Sequence, residues 1–213
     1  SKILNHEKPE TIDRAGDSYT RAGVGLLRGR GLDFHAYEKP EWIFGACAAG
    51  ALYRKRMIDE IGFFDEDFFL LHEDVDLSFR GQLKGYRCLY VPEAKVYHKT
   101  SSSIVRDSYI SIYYGHRNLE WVYFQNMPWR LVGKTILLHL AHMMGSFFYF
   151  SCHGQMRSIL NAKWDAFRHI KAVLRKRRQV QRGKRVEDAY IWDLLEREPF
   201  FARLMTHVQK NKH

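Results

Sequence analysis

Apolar and polar positions change period along the chain in a way that marks its elements. Phe68, Phe69, Leu70 and Leu71 run into His72, Glu73 and Asp74, and Val75, Phe79 and Leu83 then recur every four residues up to Gly85. This predicts an amphipathic helix of about three turns with a glycine stop. Tyr86 to Val91 alternates as a strand, Pro92 breaks it, and Ala94, Val96 and His98 form a second short alternation. Upstream, WIFGACAAGALY (Trp42 to Tyr53) is an apolar run of small residues, expected as a buried strand whose backbone approaches something closely. Arg54 to Glu60 reads as a helix ending at Gly62.

Residues 1 to 41 are polar and glycine-rich, with possible strand ends at Ile12 to Gly16 and Arg21 to Gly25. Gly23, Gly25 and Gly29 do not keep the spacing of a dinucleotide-binding loop, and no strong strand precedes them. Beyond His98, a serine loop at Ser101 to Ser103 leads into a tyrosine-rich helix, Ile104 to Gln125, that ends near Pro128. Thr135 to Met156 carries no Lys, Arg, Asp or Glu and approaches the roughly 20 residues that span a bilayer. Its histidines, glycines and polar residues leave three readings open: a span, a buried bundle helix or an interfacial helix. His139 and His142 lie one turn apart, without a third ligand nearby. Arg157 to Arg185 reads as a basic amphipathic helix, and Val186 to Glu196 as a last helix.

Composition narrows the class. The 213 residues hold 34 Lys and Arg against 24 Asp and Glu, a formal charge of +10, and are 46% hydrophobic, which makes the chain globular and basic, with an anionic partner expected. Three dispersed cysteines, Cys47, Cys88 and Cys152, suggest neither a disulfide framework nor a zinc cluster, and fit a reducing, cytoplasmic compartment. No secretory signal is expected from the first residues. The Arg157 to Arg185 stretch, with Arg175, Lys176, Arg177 and Arg178 at its most basic point, can lie on anionic lipid, follow a phosphate backbone, or form a solvated face.

The candidate chemistry is the acidic pair Glu73–Asp74 at a helix start, where the macrodipole favours negative charge and a positioned carboxylate could accept a proton. GACAAGALYRKRMIDEIGFFDEDFFLLHEDVDLSFRGQLKGYRCLYVPEAKVYH is similar to the second half of the catalytic domain of the inverting family 2 nucleotide-sugar glycosyltransferases. It most resembles the rhamnosyltransferase-like members that build bacterial surface polysaccharides. Their small-residue strand, IGxFDExFF turn, EDxDLxxR helix start, glycine, YxP strand and histidine stand here at Gly45 to Arg54, Ile61 to Phe69, Glu73 to Arg80, Gly85, Tyr90 to Pro92 and His98.

The resemblance implies Asp74 as general base, Glu73 as its partner at the acceptor, Gly45, Ala46 and Cys47 lining the donor and acceptor, and His98 completing a metal site for Mg²⁺ or Mn²⁺. The family's metal-binding Asp-x-Asp has no counterpart upstream; Asp65/Asp67 and Asp74/Asp76 lie in the acceptor half. The expected architecture is therefore α/β. Residues 1–103 would be the acceptor half of a GT-A-like (Rossmann-like) domain lacking its nucleotide-binding half, and residues 104–213 a helical region. The resemblance further implies a nucleotide-sugar donor, a glycan or lipid-linked acceptor, and peripheral placement on the inner face of the cell membrane, with this chain alone inactive. The alternative is a basic membrane- or nucleic-acid-binding module without catalysis; the Glu73–Asp74 unit weighs against it, and no nucleic-acid partner is expected.

Overall fold

In the computed structural model, which describes residues 1–99 and 108–197, small sheets are packed against a helical layer. Strand β1 (Lys2–Asn5) lies between β2 (Ile12–Arg14), antiparallel, and β7 (Lys95–His98), parallel. The hairpin β3 (Asp17–Tyr19) and β4 (Gly25–Leu27) and the antiparallel pair β5 (Glu41–Ile43) and β6 (Cys88–Tyr90) complete the strands among the described residues. The expected strand across Trp42 to Tyr53 is shorter than its apolar run: β5 ends at Ile43, and Ala48–Gly50 form a 3-10 turn. Small side chains there serve close approach rather than pairing. A Cβ on Gly45 would stand 2.5 Å from Ser78 Oγ on the neighbouring helix. At Gly16, φ is +88° and a Cβ would meet Ile43 Cδ1 at 2.2 Å, so only glycine makes the turn from β2 into β3.

The helices follow the predicted periods closely. They are α1 (Lys55–Ile61, ended by Gly62 at φ +77°), α2 (Glu73–Leu83), α3 (Tyr109–Asn126), α4 (Trp129–Cys152), α5 (Met156–Arg168), α6 (Ile170–Arg182) and α7 (Asp188–Leu194). The first four residues expected in the tyrosine-rich helix, and the Ser101 to Ser103 loop, lie outside the described residues. The single basic helix is corrected to two. The chain breaks at His169, whose Nδ1 meets the Asp165 carbonyl at 2.9 Å, and α5 and α6 then both pack on α3.

One apolar cluster joins strands to helices: Tyr19 and Phe44 from the strand region, Phe68, Val75, Phe79 and Leu83 around α2, Trp121 to Tyr123 from α3, Leu131 from α4 and Val173 from α6. It runs across the expected division between residues 103 and 104. Helix α4 is long and apolar enough, by length and composition, to cross a membrane; its buried residues Leu131, Val132, Thr135 and His139 lie in its first half.

His139 is a packing residue here. Its ring stacks on Tyr123 at 3.8 Å, and its nitrogens face Ala22 O and Glu120 Oε2, each at 2.8 Å. Glu120 also binds the Lys163 ammonium, tying α3, α4 and α5 together. Burial alone would raise the Glu120 carboxyl, but the His139 hydrogen bond and Lys163 outweigh it and hold it at about 2, below the ordinary 4.5. A depressed carboxyl contributes stability above its unfolded value and loses it as pH falls toward the folded one. Glu120 is therefore expected to supply about 3 kcal/mol that disappears between pH ~4.5 and ~2. Glu120→Gln should flatten this acid limb in denaturant titrations taken across that range; an unchanged limb would show that Glu120 does not carry it.

Candidate active site

Helix α2 begins from a strained turn. Phe69, Leu71 and His72 have φ of 58°, 65° and 69°, a region that L residues other than Asn, Asp and His rarely enter, so Phe69 and Leu71 carry the strain. Helix α3 holds this turn in place. Asn118 Nδ2 donates to the carbonyls of Phe68, Leu70 and Leu71 at 2.9, 2.6 and 2.8 Å, and Arg117 donates to those of Asp67 and Phe68 at 2.8 and 3.0 Å. The Arg-Asn pair of the tyrosine-rich helix thus fixes the backbone that delivers Glu73 and Asp74, which is a structural role. Lys176 on α6 adds a second hold, binding Asp65 and Asp67 at 2.6 Å.

Asp74 is buried in the first turn of α2. Its Oδ2 accepts from Ala48 N–H at 3.2 Å and its Oδ1 from Val75 N–H at 2.9 Å. Two residues that sequence reasoning did not single out complete its surroundings. Asp17 of β3 is brought in by paired backbone hydrogen bonds with Gly45 (2.8 and 3.2 Å), and Arg14 arrives from the end of β2. Potential ligand atoms of Asp17, Cys47 and Asp74 lie within 4.8 Å of one another. Arg14 Nη1 stands 3.1 Å from Cys47 Sγ, 3.4 Å from Asp17 Oδ1 and 3.8 Å from Asp74 Oδ2. The only sequence signal for them was a charged IDRAGD stretch between strand ends, and nothing local said that it would be buried.

Burial, then the nearby Asp74 charge, pushes the Asp17 carboxyl up to about 8 against the pull of Arg14. Glu73 is raised for the same first two reasons, and burial lowers His72. Burial also lifts the Cys47 thiol to about 12. Asp17 Oδ2, Glu73 Oε2, Arg14 Nε and the Tyr53 hydroxyl are buried without a hydrogen-bond partner among the described residues. Buried polar atoms are nearly always satisfied, so these four leave hydrogen-bonding capacity in the region of Asp74 that the described residues do not fill.

The remaining expected site residues fall elsewhere. Cys47 is the exception and stands beside Asp74, while Gly45 pairs with Asp17, and Ala46, between Gly45 and Cys47, is half-buried. His98, at the end of β7, meets Asp13 Oδ2 at 2.9 Å, and Asp13 also meets Arg30 at 3.6 Å; His98 does not join the Asp17–Cys47–Asp74 group. The basic quartet needs correction. Lys176 is engaged with Asp65 and Asp67, and Arg177 is 2% exposed, donating to Phe124 O and stacked on Trp129 at 3.8 Å. Only Arg175 and Arg178 face solvent, because an α-helix that buries Val173 also turns residue 177, four positions on, toward the core.

The profile described as "Glycosyl transferase family group 2" matches residues 39–164, which is more than half of the chain and includes α1 to α4 with Cys47, Glu73 and Asp74, but not Arg14 or Asp17. The chain belongs to glycosyl transferase family group 2. Over 66 residues this family 2 chain is 39% identical to N-acetylglucosaminyl-diphospho-decaprenol L-rhamnosyltransferase of Mycobacterium tuberculosis, in strains CDC 1551 / Oshkosh and H37Rv. That alignment covers 31% of this chain and 20% of the relative's length. No solved structure matches this family 2 chain.

Family 2 glycosyltransferases are generally dependent on a divalent metal. The Asp17–Cys47–Asp74 group fits one poorly. Mg²⁺ and Mn²⁺ seek several oxygen ligands, whereas this group offers two carboxylates, a thiol held protonated by burial, and a guanidinium against all three. No step is assigned to a metal at this position.

Proposed function

We propose that this chain carries the acceptor side of an inverting glycosyltransferase that moves a sugar from a nucleotide-diphosphate donor to a glycan or lipid-linked acceptor in cell-surface polysaccharide synthesis. The carrying observation is the setting of Asp74, a buried carboxylate on a helix N-terminus, backed by Arg14 and Ala48 N–H and grouped with Asp17 and Cys47. Family membership and the mycobacterial relative, whose name describes a rhamnosyl transfer to a polyprenyl-diphospho-sugar, support the substrate classes. Asp74 takes the proton of an acceptor hydroxyl, and the freed oxygen attacks the anomeric carbon. The bond to the nucleotide diphosphate breaks on the opposite face, giving inversion. Glu73 orients the acceptor, and Gly45 to Cys47 shape the wall of the cleft.

The described residues of the expected acceptor half supply this site, and α3 and α6 brace it through Arg117, Asn118 and Lys176. The described residues offer no complete set of oxygen ligands for the family's divalent ion, His98 having only Asp13 beside it. The 213-residue chain by itself is accordingly expected to be catalytically silent. Calorimetry with nucleotide diphosphates and Mn²⁺ tests this: weak or absent heat is the expected result, and tight, metal-dependent binding would show a complete donor site and overturn the acceptor-side reading.

The chain docks at the cytoplasmic face of an anionic membrane, through exposed apolar residues of α4 and α5 with bases that include only Arg175 and Arg178 of the basic quartet. Leu137 (78% exposed), Met144 and Phe148 on α4 and Leu160, Trp164 and Phe167 on α5 are solvent-exposed apolar residues. No Asp or Glu occurs from Trp129 to Trp164, and Arg157, Arg168, Lys171, Arg175 and Arg178 are exposed nearby. Aromatic and aliphatic side chains next to bases suit an interfacial helix, each surface base adding about 1 kcal/mol on anionic lipid. Vesicle flotation should recover the chain with phosphatidylserine-containing vesicles, and recovery should drop for Trp164→Ser with Phe167→Ser. Equal recovery on neutral vesicles, or no loss in the double variant, would refute the docking.

A further inference from the structure

Arg14 is placed as no exposed surface arginine is. It ends β2 one residue after Asp13, and the glycine turn at Gly16 folds β3 back so that Asp17 meets it at 3.4 Å. The Asp17–Gly45 backbone pair then brings Cys47 to within 3.1 Å of the same Nη1, and α2 brings Asp74 to 3.8 Å. Three separate segments thus converge on one guanidinium nitrogen. Among the described residues, Arg14 is the basic side chain that forms an ion pair with Asp74. A metal ion bonded to Asp17, Cys47 and Asp74 at about 2.0–2.6 Å would compete for the same three ligand atoms that Nη1 already faces, and would set two positive charges against one another. A guanidinium is always charged and planar, with donors in fixed directions, and so sets an orientation as well as a charge.

We propose that Arg14 is the resident cation of the Asp17–Cys47–Asp74 cluster, a positioning residue that fixes the Asp74 carboxylate for the acceptor hydroxyl and occupies the place a divalent ion would take. The positioning part rests on the reading of Asp74 as the base; the occupancy part does not.

Two measurements test it. In the first, this chain is titrated with Co²⁺, whose bond to a cysteine thiolate gives a near-ultraviolet charge-transfer band. The wild-type chain should show no band that Cys47→Ser removes. Such a band would mean that a metal displaces Arg14, and would end the proposal whatever the enzyme's activity.

In the second, Arg14→Ala is made in the active enzyme that contains this chain. Its kcat should fall roughly 10- to 100-fold, the scale of a small misplacement of a reacting group, while KM for the donor stays within about twofold. Guanidinium or methylguanidinium at non-denaturing concentration should restore kcat several-fold in this variant and leave the wild type unchanged. A purely structural arginine would not give that rescue. Arg14→Lys keeps the charge with a single donor point, serves as the folded variant if the alanine variant fails to fold, and should show an intermediate kcat. Wild-type kcat in folded Arg14→Ala or Arg14→Lys, or a loss that guanidinium does not touch, would overturn the positioning role. Full transfer by Asp74→Asn would instead remove the base assignment, leaving the cobalt result to decide whether Arg14 is the cluster's cation.

Discussion

Asp74→Asn is expected to lower turnover by a factor on the order of 100 or more while leaving donor and acceptor binding in place. The amide keeps the size of the side chain and one acceptor oxygen, enough for one of the two N–H groups, Ala48 at 3.2 Å and Val75 at 2.9 Å, that the carboxylate accepts from, so shape is conserved at the cost of one hydrogen bond. On the proposed mechanism, what the variant loses is the lone-pair basicity that would take the acceptor proton. Arg14, 3.8 Å away, would then face one carboxylate fewer, with Asp17 still beside it at 3.4 Å. Steady-state kinetics in the active enzyme separate the outcomes: a fall in kcat at near-constant KM marks a group used in the transition state. Near-normal transfer would reduce Asp74 to a residue that starts a helix.

The second large effect falls on stability, two residues further along α2. Asp76 is fully buried; it pairs with Arg80 Nε at 2.7 Å and accepts from Gln125 and Asn126 at 3.0 and 2.7 Å. Burial raises its carboxyl, and the guanidinium and amide donors oppose that rise. Arg80 in turn donates to the carbonyls of Ile61 and Phe63, at 2.6 and 2.7 Å, so this pair links α2 both to the turn after α1 and to the end of α3.

Asp76→Ala strands a buried cation and two amides, and should destabilise the fold by about 3–5 kcal/mol in urea titrations. Replacing Asp76 and Arg80 together by leucines should cost less than the single change, since no unpaired charge remains. A single-variant loss below ~1 kcal/mol would show that water reaches Arg80 and that the network is not closed.

Much of the helical layer was legible in the residues. Val75, Phe79 and Leu83 at four-residue spacing, with Gly85 beyond, predict α2 almost to its ends, and all three side chains are in the core. Gly62, Pro128 and the uncharged stretch after Thr135 likewise mark α1, the α3–α4 junction and α4. The Glu-Asp motif located Asp74 and Glu73 directly, because a helix start followed by a periodic apolar face is written in consecutive positions.

The tertiary structure alone decided which charges belong to the site. Arg14 and Asp17 lie far from Asp74 in sequence and reach it through a glycine turn and two backbone hydrogen bonds to Gly45, pairings that no local period encodes. The same reason separates Lys176 and Arg177 from their neighbours in a run of four bases. A hydrophobic pattern tells which face of a helix is apolar, but not that the turn before α2 will present Asp65 and Asp67 to one of those bases, or that the end of α3 will present a carbonyl to the next. Charged side chains take their role from partners across the fold, whereas apolar ones need only face inward. The helices could therefore be read from spacing, while the cation beside Asp74 had to be found in three dimensions.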